Sequence, residues 1–180
     1  MKIMEFDEEL QPEEKEIVAY GLQQLKVNCI CIGTILLASI ACGMVLQGIV
    51  FLFAFIPLRL YSGGYHANSR KMCAVISFCS VLLCFILIKI CMYSSLFWFL
   101  LSTASLLIIG ILSPVSNDVK VLEKEEQRVY KHRTRKIAFV IYVVMQIACL
   151  FGLKLVVCSF GAAFLLVDVS LISGYIKYKV

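Results

Sequence analysis

Residues 59–73 of this 180-residue chain read RLYSGGYHANSRKMC. His66 and Cys73, seven positions apart, are the pair whose types could do chemistry. A cysteine thiolate attacks a carbonyl carbon, and an imidazole within hydrogen-bond reach can take the thiol proton and pass it to a leaving group. The spacing limits how this can work. On one unbroken helix, residues seven apart share a face but stand about 10 Å apart along the axis. Proton transfer needs roughly 3 Å. His66 must then sit in a turn ahead of the helix that carries Cys73, folded back over its first turn. Gly63 and Gly64 can supply the unusual backbone angles of such a turn. Asn68 or Ser69 can cap the helix, leaving Cys73 just past its first turn and near the positive end of the dipole. Arg70 and Lys71 add positive charge, and all of these favour the reactive thiolate. The same spacing also fits a His and a Cys that stand on a polar loop and do nothing. A metal centre has less support: His66, Cys73 and the distant His132 make no familiar ligand spacing, and there is no C-x-x-C.

The elements that must position these residues are apolar. The chain is 61% hydrophobic and 16% charged, against about 45–50% and about 25% in soluble domains. A soluble domain is excluded, and the expected class is an integral membrane protein. The first 26 residues hold seven acids and three lysines, which does not suit a secretory signal. The first apolar block, beginning near Val27, is expected to be retained as an anchor. Crossing a bilayer takes about 20 apolar residues. Blocks at 27–46, 72–92, 95–112, 137–153 and 155–176 meet or approach that length. One at 48–60 is shorter and could be tilted, re-entrant or buried, with Gln47-Gly48 as the expected break before it. Tight turns are expected at Ser94-Ser95 and at Gly152 with Lys154.

Ahead of these blocks, residues 11–26 read as a helix with Pro12 in its first turn and with Val18, Leu22 and Leu25 as an apolar stripe. The fold class is therefore an all-α, polytopic integral membrane helical bundle. It has about six hydrophobic segments, one short or re-entrant, plus an N-terminal amphipathic helix. The chain reads as one domain, 1–180. With the N-terminus inside, all of the 17 Lys and Arg except Lys89 and Lys154 fall on the cytoplasmic side. Both termini and the 59–73 stretch are then cytoplasmic. So is the charged connection 113–136, either a solvated loop that enforces topology or a substrate-docking surface. Eight of the nine cysteines lie in apolar runs and serve as small hydrophobes; Cys73 does not. Asp168 is the single acid inside an apolar segment, expected to contact Arg59 or to line the substrate path.

Arg59, the pair Gly63-Gly64, His66 and Cys73 just before an apolar segment together resemble the signature of the accessory gene regulator B (AgrB-like) family. These are membrane cysteine endopeptidases of peptide quorum sensing in Gram-positive bacteria. The Pro-containing SPVSNDVKVLEKEEQRVYKHR also resembles a cytoplasmic loop of that family, although it is more acidic. The resemblance implies cleavage of a short AgrD-like precursor peptide in its C-terminal part. Cys73 would be the nucleophile and His66 the general base and then acid. The acyl-enzyme thioester would be opened by an internal Cys or Ser of the peptide to give a thiolactone or lactone. Arg59 would bind a precursor carboxylate or an oxyanion, or simply snorkel. Asn68 and Asp118 are candidates to orient His66. No metal or organic cofactor is called for. The expected partners are the precursor peptide, membrane lipid and, by the resemblance, a second copy in a homodimer; nucleic acid is not among them. The rival reading is a small transporter or channel subunit with a non-catalytic gate loop. That class would show several paired intramembrane charges or broken helices, and here only Asp168 qualifies. A non-catalytic scaffold comes third.

Overall fold

The computed structural model describes residues 12–65, 70–115 and 124–179. They form six helices: α1 Pro12–Ala41, α2 Val45–Ser62, α3 Arg70–Cys91, α4 Ser95–Leu112, α5 Lys124–Leu150 and α6 Lys154–Lys179. Four of these are long and apolar enough to cross a membrane: α2, α4, the Met72–Cys91 part of α3 and the Lys154–Tyr178 part of α6. Asn28–Ala41 of α1 is a shorter apolar stretch. The block expected to be short belongs to α2, whose 18 residues span about 27 Å at 1.5 Å per residue.

Three boundaries differ from the expectation. The first break falls at Gly43 and not at Gln47-Gly48. Gly43 has φ 68°; its N–H donates to the Ile40 carbonyl at 3.0 Å, and the Met44 N–H donates to that of Ser39 at 2.7 Å. This is the glycine-terminated cap that closes a helix by satisfying its last carbonyls. Gly48 instead lies inside α2, where an added Cβ would come 2.5 Å from the Ser39 Cβ. It is there for close contact between α1 and α2, not to break a helix. The second difference is at the charged connection: residues 124–136 are helix, continuous with the apolar block that follows. The expected N-terminal helix likewise runs on into the first apolar block as one 30-residue element.

Gly152 (φ 69°) repeats the cap of Gly43 between α5 and α6, as its position in the sequence predicts. Between α3 and α4 the indole N–H of Trp98 donates to the Cys91 carbonyl at 2.9 Å. These tight turns lie at one end of an up-and-down bundle, and the segments 63–65 and 113–115 meet at the other. Helix α6 runs through the middle and packs on α2, α3, α4 and α5. Ala162, Ala163, Phe164, Val167 and Leu171 are fully buried along it. Its Gly161 lies against the Trp98 ring, where a Cβ would collide. Small residues matter because lipid is as apolar as a side chain, so close packing and not water avoidance holds such helices together. Phe53, Leu83, Ile90 and Ile111 point outward, as lipid-facing residues should.

Candidate functional site

The 59–73 stretch is built around Arg59 in the last turn of α2. Its Nη1 donates to the Gly63 carbonyl and its Nη2 to the Tyr65 carbonyl, the latter at 3.1 Å. The guanidinium thus folds the chain back on itself directly after α2 ends. Gly63 (φ 71°) and Gly64 (φ 127°) both adopt angles that L side chains rarely take. Space excludes a side chain as well. A Cβ on Gly63 would collide with the Val115 carbonyl, and one on Gly64 with the Arg59 guanidinium and the Ser170 hydroxyl.

The turn is also pinned from two sides. The Val115 N–H donates to the Ser62 carbonyl at 3.1 Å, forming a parallel bridge between Gly63 and Val115. The Tyr65 N–H donates to the Ser170 carbonyl of α6 at 2.9 Å. Two loops some 50 residues apart in sequence therefore form one structure. Signals for the partners were present but weak: Pro114 marks a loop, and Gly174 stands inside an apolar helix where glycine usually means close approach. Nothing in the sequence singled out Ser170 or Val115.

Cys73 lies in the first turn of α3, half-buried. Arg59 is near enough to Cys73, to Cys31 of α1 and to Tyr178 of α6 to interact with each electrostatically. His66 and Asn68 lie outside the described residues, as does Asp118; Arg70 is described as the first residue of α3. Around the site, Lys177 Nζ stands 5.1 Å from the Tyr65 ring centroid, and Arg133 lies 5.8 Å from that of Tyr61. Among the described residues no three His, Cys, Asp or Glu side chains converge as metal ligands would.

Asp168 is buried in α6, but it is paired with Ser105 of α4 and not with Arg59. Ser105 Oγ donates to Oδ2, while Oδ1 is buried without a hydrogen-bond partner. Arg59 is turned instead to the Gly63 and Tyr65 carbonyls.

An apolar helical bundle that holds a basic, glycine-shaped turn beside a half-buried cysteine defines a multi-pass membrane protein with a thiol at one end. The family model described as Accessory gene regulator B matches residues 2–173, and the chain belongs to that family. AgrB-like protein 2 of Clostridium perfringens (strain 13 / Type A) is 36% identical over 64 residues, covering 36% of this chain and 30% of the relative. An AgrB-like protein of Clostridium perfringens (strain SM101 / Type A) is 34% identical over 64 residues, with the same coverage. The chain thus spans about a third of the length of these curated relatives. No solved structure matches it.

Proposed function

We propose that this chain is a membrane cysteine endopeptidase that cuts a short AgrD-like precursor peptide and leaves its N-terminal product able to cyclise. The reading is carried by one observation: Arg59, Gly63 and Gly64 build a single fixed turn that ends directly before His66 in the chain, at the end of the bundle where α3 starts with Cys73 in its first turn. A topology-setting loop would have no need of that fixed shape. In the proposed reaction Cys73 Sγ attacks the scissile carbonyl, while His66 takes the thiol proton and delivers it to the leaving amine. The C–N bond breaks and a thioester forms. An internal thiol or hydroxyl of the bound peptide then attacks the thioester; its proton passes through His66 back to Cys73, and the ring closes. The thioester conserves acyl reactivity that hydrolysis would waste, so exclusion of water at a membrane boundary suits it. We place the site on the cytoplasmic side, where a ribosomal precursor arrives, on the strength of the basic-residue distribution.

Mass spectrometry of a precursor co-expressed with wild type, Cys73→Ala or His66→Ala tests this. Shortened or ring-closed peptide is expected with wild type alone, at matched membrane levels. Equal processing in all three would remove the pair from the mechanism.

A further inference from the structure

Helix α6 contributes no side chain to the chemistry just described, yet it forms the floor of the turn. Gly174 is buried and lies one helical turn beyond Ser170. A Cβ there would stand 2.8 Å from the Tyr65 nitrogen, 2.9 Å from the Gly64 carbonyl carbon and 3.1 Å from the Gly64 Cα. Each of those atoms is backbone, and each belongs to a segment already tied by the Tyr65 N–H to the Ser170 carbonyl and by Arg59 to Gly63 and Tyr65. No flexible side chain can swing away to make room. The helix itself does not call for glycine, since alanine is the better helix former. Gly33 and Gly110, also in helices of this bundle, have open space where a Cβ would go.

We infer that Gly174 is a positioning residue: its missing side chain is the seat on which Gly64 and Tyr65 rest, and catalysis requires that seat to be empty. The inference rests on the peptidase reading above, because the seat supports the residue that immediately precedes His66 in the chain. Filling it lifts Gly64 and Tyr65 from α6 and displaces the turn relative to Cys73, while leaving α6 intact.

Gly174→Ala is compared with Gly33→Ala, Cys73→Ala and wild type in full-length protein in membranes. Three quantities are read: processing of the same co-expressed precursor, thermal midpoint, and the rate of Cys73 alkylation by iodoacetamide, resolved by peptide mass spectrometry. In Gly174→Ala, processing is expected to fall at least about 10-fold, since sub-ångström misplacement of reacting groups is costly. Its thermal midpoint should stay near wild type, because the helix propensity gained by alanine offsets the lost Tyr65–Ser170 bond, and the Cys73 alkylation rate should change by about threefold or more. Gly33→Ala should match wild type in processing and in Cys73 alkylation, with a midpoint at or above wild type. Processing within about twofold of wild type in Gly174→Ala, with Cys73→Ala inactive, overturns this inference and leaves the peptidase reading standing. Processing by Cys73→Ala overturns that reading itself, and the inference with it. Lost processing with a lowered midpoint and unchanged Cys73 alkylation makes Gly174 a packing residue and also overturns the inference. If Gly174→Ala fails to accumulate, Tyr65→Pro decides: it deletes the N–H that bonds the Ser170 carbonyl and changes no residue of α6. Loss of processing at wild-type level supports the seat, and retained processing overturns it.

Discussion

Arg59 is the residue on which the turn depends, and the planarity of its guanidinium is what matters. Two of its nitrogens reach two different carbonyls, Gly63 and Tyr65, a task that suits a rigid fork and not the single point charge of a lysine. Arg59→Lys should therefore keep the protein in the membrane but lose about 100-fold in processing, the order expected for about an ångström of misplacement. Immunoblot of membranes beside mass spectrometry of the precursor checks both parts. Wild-type processing by Arg59→Lys would reduce the residue to an interfacial anchor. Asp168 should behave differently. Its bond to Ser105 joins α4 to α6 inside the bundle, whereas Arg59 is bonded to the Gly63 and Tyr65 carbonyls. Ser105→Ala should cost about 1–3 kcal/mol, because a buried oxygen loses its partner, and should lower the thermal midpoint without changing processing per folded molecule. Altered turnover at an unchanged midpoint would return Asp168 to the substrate path.

At the scale of elements, close contacts between helices set the geometry. Gly48 under Ser39 lets α1 approach α2, and Cys31 of α1 lies within electrostatic reach of Arg59. Gly48→Val should wedge the two helices apart at about 1–3 kcal/mol, the usual cost of overpacking, read as a lower thermal midpoint. An unchanged midpoint would mean that α1 packs loosely there. The same glycine explains why one boundary was misplaced. Beside Gln47 it looks like a break, because sequence alone does not distinguish a glycine that ends a helix from one that a neighbouring helix presses against. Gly43 and Gly152 are the enders, identified by their positive φ. Helix α5 ran longer than its apolar block for a related reason. Its charged first half satisfies its own backbone and is fixed through contacts such as Arg135 Nε to the Gly110 carbonyl at 3.0 Å, which hydropathy does not register.

For the whole molecule, the up-and-down order brings the ends of α2, α4 and α6 together at the start of α3, so one end of the bundle carries the turn and the thiol. If that end is cytoplasmic, a cysteine introduced at Ser94, in a turn at the opposite end, should react in whole cells with a membrane-impermeant maleimide, whereas one at Val129 of α5 should not. The reverse pattern would invert the proposed topology and leave the turn facing away from its substrate. The sequence by itself determined the class, an all-α membrane bundle, because hydropathy is a sum over residues and needs no fold. It also singled out Arg59, Gly63, Gly64, His66 and Cys73 as candidates, because those types stand close together along the chain. Only the tertiary structure decided that Val115, Ser170 and Gly174 pack on the turn from Ser62 to Tyr65 and that Asp168 binds Ser105. Such contacts join residues about 50 to 110 positions apart through helix packing, and packing depends on which faces meet, information that no local stretch of chain contains.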